Sequence, residues 1–294
     1  MLIADELLQA GQVVLGAEYV ADEWSRPVFD LAADAWVVTG GGEMIVGYAQ
    51  ATREEPAVVD SWGVVHPAHR GRGLGSALVT MIEQRAARQL AGLPSGRLRH
   101  SIFAGDDAAA AIMRARGLRP VRHFWHMLID LTTSLDQDPA PEGVEITGIE
   151  PASQLRVVHA IIEEAFADHW GHHAEAFDRW AEEYTASPAY DPALWLLATA
   201  QGQPADALTG HVAADRGWVD YLGVLPPWRG RGLGAALLQR SFATFAGRGI
   251  RRVILNVDAE NTTGATALYE RAGMRVVNRW DLYERPVGAA VPAP

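Results

Sequence analysis

The sequence predicts an α/β (α+β) protein built from two tandem copies of one domain, each a mixed, mainly antiparallel sheet with helices on both faces. A chain of 294 residues has the length of two domains. Residues 65–78, VHPAHRGRGLGSAL, recur as residues 224–237, VLPPWRGRGLGAAL, and this spacing of 159 residues is too long for a solenoid repeat. Strand-like and helix-like patterns surround both copies in the same order.

The segment between the two halves, residues 133–143, combines Pro, Gly and Asp without apolar periodicity, which is typical of a linker. We therefore predict an N-terminal domain over 1–137, a linker over 138–143, a C-terminal domain over 144–287 and a tail over 288–294. The N-terminal copy has only about 34 residues before its first hairpin, against about 50 in the second, so we expect it to lack an opening strand and part of a helix.

Apolar runs bounded by turn residues predict strands, and apolar residues at helical spacing predict helices. In the first half these patterns predict strands over 35–38, 44–50, 58–65, 98–103 and 123–131, and helices over 74–89 and 107–116. In the second half they predict strands over 144–149, 194–199, 207–213, 218–225 and 251–257, final strands within 274–283, and helices over 151–168, 174–184, 233–245 and 262–272.

The composition excludes several classes of protein. Net charge is −11 and all 25 basic residues are arginine, which disfavours nucleic-acid binding and removes Schiff-base and P-loop lysines. No cysteine is present, so disulfides and thiolate zinc sites are excluded. No stretch approaches the roughly 18 apolar residues of a membrane helix, and the start MLIADELLQAG lacks the basic region of a signal peptide. We expect a cytoplasmic protein with neither membrane nor nucleic acid as partner.

In each copy of the motif a strand runs into R-G-R-G-L-G and then directly into a helix. Uncapped amides and the helix dipole bind anions there, and glycine lets a phosphate approach the backbone. This pattern predicts a phosphate-binding loop, with a plain strand-to-helix turn as the alternative. The candidate residues are Val65, Arg70, Gly71, Arg72, Gly73 and Gly75 in the first copy, and Arg229, Gly230, Arg231, Gly232, Leu233 and Gly234 in the second. Neither the Rossmann spacing G-x-G-x-x-G nor the G-K-[ST] of a P-loop occurs here.

The pattern V-x-P-x-x-R-G-x-G-L-G resembles the acyl-CoA-binding motif of the GCN5-related N-acetyltransferase (GNAT) superfamily, and the order of elements is similar too. Two such domains in one acidic, cysteine-free chain are most similar to the mycothiol-synthase type of acetyltransferase. The resemblance implies that acetyl-CoA is the co-substrate. It also implies that the loop amides hold the CoA pyrophosphate and that the strand backbone around Leu222 and Val224 pairs with pantetheine.

A second family signature, N-x-x-x-x-x-x-L-Y-x-x-x-G-[FM], is intact only in the second half, as NTTGATALYERAGM. The resemblance implies that Asn261 binds the CoA arm and that Tyr269 protonates the leaving thiolate, a suitable task for an O–H donor. The alternative for Tyr269 is a core aromatic residue. In the first half, counting back from Gly117 puts Met113 at the tyrosine position, and Met113 has no proton to give. We therefore expect the N-terminal domain to be degenerate and non-catalytic.

The general base is less well defined by the sequence. Asp220 lies four residues before Val224, so strict strand alternation places it on the same face as Leu222 and Val224. It is the first candidate, with a solvated hairpin carboxylate as the alternative. In mycothiol synthases the resemblance leads us to expect an acid about two residues earlier, where this chain has Trp218.

The loop between the two early helices of the second half carries the candidates for binding an amine acceptor. They are Glu164, Asp168, His169 and Trp170, with His172 and His173 beside them. A metal site is the competing interpretation, since His and carboxylates are metal ligands, but we predict no metal. Tyr184, Tyr190 and Trp195 are predicted to be packing residues, with a place in the lining of the acceptor cleft as the alternative, and His100, His123, His126 and His211 are predicted to be structural.

Three functions remain in view. The first is an acetyl-CoA-dependent N-acetyltransferase acting on a primary amine of a small molecule, with its chemistry in the C-terminal domain. The second differs only in its acceptor, an aminoglycoside- or antibiotic-type amine. The third is a non-catalytic acyl-CoA-binding regulatory protein. The sequence leaves the oligomeric state open.

Overall fold

The computed structural model describes residues 28–53, 55–131, 140–213 and 215–287, together with Val20, Glu23, Trp24 and Arg26. Residues 138 and 139 of the predicted linker, the predicted tail and most of the segment before the first hairpin lie outside these residues. The expectation that the N-terminal copy lacks an opening strand therefore falls outside the described residues too. Within the described residues no helix is long and apolar enough to cross a membrane.

The chain forms two compact units whose limits differ from the predicted domains. One unit contains the chain up to Trp125, Asp258–Glu260 and the chain from Val277 onward, and the other contains His126–Val257 and Asn261–Val276. The last strand of the chain therefore belongs to the N-terminal unit, whereas the predicted C-terminal domain ran to 287. Local pattern predicts a strand but does not choose its partner, because pairing is decided by contacts distant in sequence.

The N-terminal unit is a five-stranded sheet in the order β1-β2-β3-β4-β11. Its strands are β1 (Ala35–Thr39), β2 (Ile45–Thr52), β3 (Val58–Val65), β4 (Gly96–Phe103) and β11 (Arg275–Val287), and its helices are α1 (Leu31–Asp34), α2 (Leu74–Gln89) and α3 (Asp107–Ala115). Strands β3 and β4 are parallel, and the other pairs are antiparallel. Leu78, Ile82, Leu98 and Met113 lie in its buried core.

The C-terminal unit repeats this arrangement in the order β10-β9-β8-β7-β6. Its strands are β6 (Val144–Gly148), β7 (Leu196–Ala200), β8 (Gln203–Ala213), β9 (Arg216–Val224) and β10 (Arg252–Asp258), and its helices are α4 (Pro151–Phe166), α5 (Phe177–Ala186), α6 (Leu233–Gly247) and α7 (Ala265–Arg271). The second part of β5 (Arg119–Asp130) lies in this unit. Only β9 and β10 pair in parallel among the pairs β6–β10.

Helices cover both faces of the C-terminal sheet, as predicted. On one face a Cβ at Gly223 of β9 would lie 3.1 Å from Ala165 of α4, and on the other a Cβ at Gly210 of β8 would lie 3.3 Å from Phe245 of α6. We call these the α4 face and the α6 face. The mixed, mainly antiparallel α/β fold is confirmed, and most predicted elements are found within a few residues. The region 274–283, predicted as more than one strand, is a single strand, β11.

Candidate active site

Both glycine loops adopt a backbone conformation that L side chains rarely take. The angle φ is +73° at Gly71, +80° at Gly73, +73° at Gly230 and +84° at Gly232. Gly73 and Gly232 precede the first residues of α2 and α6, and neither helix has a side-chain cap. Among the described residues a Cβ at Gly232 would meet only Pro141, at 3.6 Å, so these residues leave space above the loop. The first-turn amides are therefore available to an anion.

The first arginine of each loop braces the preceding strand. Arg229 donates from Nε to the Val224 carbonyl at 3.1 Å and from Nη2 to the Ala165 carbonyl at 3.1 Å. Arg70 donates in the same way to the Val65 carbonyl at 3.2 Å. These contacts hold the loop in place. The sequence analysis predicts that this arginine contacts phosphate, whereas in the structure its guanidinium donates to backbone carbonyls.

The second arginine of each loop is exposed and better placed to meet a phosphate. The Arg231 guanidinium lies 5.0 Å from the centre of the Trp228 ring. Arg72 donates to the Ala68 carbonyl at 3.3 Å. Both side chains lie on the solvent side of their loops.

The last glycine of each motif packs closely against neighbouring side chains. A Cβ at Gly234 would lie 3.2 Å from Val224 Cγ2 and 3.3 Å from Leu268 Cδ2. A Cβ at Gly75 would lie 3.2 Å from Ile112 Cδ1. These glycines let α6 and α2 approach their neighbours closely, while Gly232 and Gly73 open the loop itself.

A gap opens between β9 and β10 beside the second glycine loop. The parallel pairs end at Val219–Leu255, and no later pair joins the two strands. The Leu225 N–H bonds back to β8. Because N–H groups alternate in direction along a strand, those of Leu222 and Val224 point away from β8, into the gap. An extended chain bearing carbonyl groups fits there.

A β-bulge in β9 lies at the opening of this gap. The pairs Thr209–Tyr221 and Gly210–Val219 leave Asp220 as an extra residue on β9. A bulge re-aims the side chains around it and is common beside active sites.

The bulge moves Asp220 to the α4 face, so the prediction that it shares a face with Leu222 and Val224 is wrong. Its carboxylate lies 3.0 Å from Nδ1 of His211. The His211 ring stacks on Trp218 at 6.2 Å with an interplanar angle of 5°. The candidate base thus contacts His211, which the sequence analysis predicts to be structural. His211 in turn stacks on Trp218, the residue at the position where the family resemblance leads us to expect an acid.

Tyr269 lies on the opposite, α6 face. Leu268 beside it packs towards Gly234, and the Tyr269 side chain is buried, with 8% exposed. Burial raises the pKa of the phenol, and the negative charge of an ionised Asp206 raises it further. The phenol therefore keeps its proton at neutral pH, as a general acid requires. The Asn261 side-chain oxygen accepts from the Thr263 N–H at 2.7 Å, in the turn that leads into α7.

The predicted acceptor-binding residues lie in the last turn of α4 and in the loop that follows it. Glu164 and Asp168 are exposed, Trp170 is half-buried, and the His169 ring lies 4.4 Å from that of Phe166. The sequence-based candidates did not include Glu163, whose carboxylate lies 3.5 Å from His172 Nε2 and 3.9 Å from His159 Nε2. The i, i+4 spacing of His159 and Glu163 was a signal that could have found it.

An aromatic cluster lines the α4 face next to this loop. Phe166 meets Tyr221 edge to face at 5.3 Å, and Trp180 lies 5.0 Å from Tyr184 and 5.6 Å from Trp195. Burial raises the pKa of both the Tyr184 and the Tyr221 phenols. Packing roles for Tyr184 and Trp195 are confirmed, as is that of Tyr190, 5.2 Å from Trp195.

The N-terminal unit keeps a cleft but not the acid. Its volume is about 370 Å³, and its lining includes the first glycine loop, Met113, His100 and Trp280. Met113 is buried in the apolar core. His100 Nδ1 lies 2.8 Å from Ser61 Oγ, and burial lowers the pKa of the imidazole to about 4, which fits a structural role. Among the described residues no group of three His, Asp or Glu side chains could hold a metal ion.

Comparison with known proteins agrees with this geometry. The model of the acetyltransferase (GNAT) family matches residues 156–274, and that of the acetyltransferase (GNAT) domain matches residues 32–113. A mycothiol acetyltransferase from Cellulomonas flavigena is 35% identical over 81% of this chain and 71% of its own. One from Thermobispora bispora is 33% identical over 81% of this chain and 78% of its own.

Solved structures show the same architecture. A GCN5-related N-acetyltransferase from Sphaerobacter thermophilus has a TM-score of 0.84 and 34% identity, covering 97% of this chain and 90% of its own. A tandem GNAT protein from the clavulanic acid biosynthesis pathway has a TM-score of 0.67 at 19% identity, covering 87% of this chain and 83% of its own, and shares the fold.

Proposed function

We propose that this chain, which belongs to the GNAT family of acetyltransferases, transfers an acetyl group from acetyl-CoA to a primary amine of a small molecule in its C-terminal unit. The observation that carries the proposal is the gap between β9 and β10, with a proton-bearing Tyr269 on its α6 face and Asp220 on its α4 face. Acid and base thus flank the place where a thioester and an amine would meet.

Acetyl-CoA supplies the acetyl group as a reactive thioester, and the residues present suit it. The open loop at Gly232 and the exposed Arg231 would hold the pyrophosphate, and the amides of Leu222 and Val224 would pair with pantetheine carbonyls. Tyr269 holds a proton for the sulfur. Asp220 accepts the proton of the attacking amine, directly or through the His211 imidazole that it orients.

The acceptor is proposed to be a polar amine that enters from the α4 face. The carboxylates of Glu163 and Asp168 attract a cationic group, and the aromatic cluster offers an apolar wall. The relatives' name supports a mycothiol-related amine. Trp218, where the family resemblance leads us to expect an acid, favours an aminoglycoside-type amine as the second candidate.

Calorimetric titration with acetyl-CoA, combined with thiol release across a panel of amines, tests the proposal. The panel includes the amine precursor of mycothiol, aminoglycosides and simple alkylamines, and Tyr269→Phe serves as the matched inactive variant. We expect binding in both proteins and thiol release that is about 10²–10⁴-fold slower in the variant. Binding without amine-dependent thiol release for any amine would refute transfer and favour an acyl-CoA-binding regulatory role.

A further inference from the structure

The cleft of the N-terminal unit runs from the first glycine loop into the apolar core. Its volume is about 370 Å³. Beside the loop its lining includes Arg70 and Asp106, whose side chains form an ion pair at 3.9 Å. Further in, the lining includes Leu78, Ile102 and Met113, which belong to the buried core. A ligand that follows this cleft therefore meets charged groups beside the loop and apolar side chains at the inner end.

The internal repeat shows that two facing leucines are missing from this cleft. In the C-terminal unit Leu208 of β8 is paired with Leu222, two residues before the end of β9. The equivalent pair in the N-terminal unit, two residues before the end of β3, is Ala49 with Gly63. Residues paired across antiparallel strands point to the same face, and Ala49 and Gly63 both line the cleft. The N-terminal copy thus has space where the C-terminal copy has two leucine side chains.

The inner end of the cleft carries no charge at neutral pH. Met113, at the position of Tyr269, replaces a phenol with a flexible thioether, which adapts to apolar ligands. His100 also lines the cleft, and its Nδ1 lies 2.8 Å from Ser61 Oγ. Because burial lowers the pKa of this imidazole to about 4, the ring is neutral. An apolar chain can therefore enter without displacing water from an ion.

We propose that the cleft of the N-terminal unit binds acyl-CoA thioesters whose acyl chain is longer than acetyl. The amides that follow Gly73 hold the pyrophosphate at the uncapped start of α2. The acyl chain lies beside Ala49 and Gly63, and its burial among apolar side chains drives binding. Met113 has no proton to give to a leaving sulfur, so the thioester is held without transfer. This site is separate from the C-terminal unit and does not depend on the transfer proposed there.

Calorimetric titration with acetyl-, butyryl-, hexanoyl- and octanoyl-CoA tests the proposal in the wild type and in Gly73→Trp. We expect affinity at one site of the wild type to rise by up to roughly fourfold for each added methylene until the cleft is filled. In Gly73→Trp, where a bulky side chain occupies the space for the pyrophosphate, this site should be lost. Equal affinity for all four thioesters would overturn the proposal. A length-dependent site that persists in folded Gly73→Trp would overturn it as well, because that site would belong to the C-terminal unit.

Ala49→Leu restores the residue of the C-terminal copy and fills the inner cleft. We expect its affinity for octanoyl-CoA to fall at least tenfold, with little change for acetyl-CoA. Ala51→Leu, the same exchange on the same face of β2, is the matched control and should leave octanoyl-CoA affinity unchanged. Unchanged octanoyl-CoA affinity in folded Ala49→Leu would contradict the proposal. If either variant does not fold, valine replaces leucine at both positions.

Two further measurements separate the possible sources of a signal. Octanoate is titrated in parallel, and we expect it to bind much more weakly than octanoyl-CoA because it lacks the pyrophosphate. Octanoate that binds as tightly as the thioester would overturn the assignment to acyl-CoA. Amine-dependent thiol release from acetyl-CoA reports on the C-terminal unit alone. A protein that acetylates no amine would refute the proposed function, while the chain-length titration would still decide the N-terminal site.

Discussion

Replacing Tyr269 with phenylalanine removes one hydroxyl and keeps the ring in place. The side chain is 8% exposed and its phenol keeps its proton at neutral pH, so what is lost is a proton donor beside the gap between β9 and β10. General acid catalysis contributes about 10²–10⁴-fold, which corresponds to about 2.7–5.4 kcal/mol of transition-state stabilisation. We expect kcat to fall within that range while the dissociation constant of acetyl-CoA and the Tm hardly change.

Tyr48→Phe in the N-terminal unit is the matched control. Tyr48 is also buried, but its hydroxyl donates to Gln50 Oε1 at 2.5 Å and accepts from Trp24 Nε1 at 2.8 Å. Its loss should cost about 1 kcal/mol of stability and leave kcat unchanged. The assay is single-turnover thiol release, which reports chemistry even where product release limits steady-state turnover. A Tyr269→Phe protein with normal single-turnover kcat and a lowered Tm would refute the catalytic role and make Tyr269 a core residue.

The remaining predictions concern loops, the first unit and pH. Gly232→Ala should weaken acetyl-CoA binding in calorimetry and cost about 1–2 kcal/mol of stability, because φ is +84° there, whereas Gly234→Val should destabilise the fold by about 1–3 kcal/mol through overpacking. Unchanged acetyl-CoA affinity in a folded Gly232→Ala protein would contradict the assignment. Gly73→Trp should leave turnover intact, and a large fall in kcat in a folded protein would show that the N-terminal unit takes part in catalysis. Burial lowers the pKa of both His100 and His126 from the ordinary value of 6.5 to about 4. Each residue therefore contributes up to about 3 kcal/mol of stability that is present above pH 6.5 and is lost as the pH falls towards 4. Denaturant titrations should show that loss, reduced in His100→Gln.

The sequence alone determined the features that depend on neighbouring residues. The repeated glycine motif predicted two related units and a helix N-terminus that a phosphate can approach, and the positive φ at Gly230 and Gly232 is a conformation that few other residues adopt. The contrast between Tyr269 and Met113 distinguishes the two copies from residue identity alone, because a thioether has no proton to donate.

Only the tertiary structure decided which strands pair and which face each side chain occupies. The bulge places Asp220 on the opposite face from the one that simple alternation predicted. The final strand belongs to the N-terminal unit, although it follows the C-terminal unit in the chain. The burial of Asp206 and its register with Val224 likewise appear only in the structure. Register, bulges and strand partners are set by contacts between residues far apart in the chain, which local pattern does not encode.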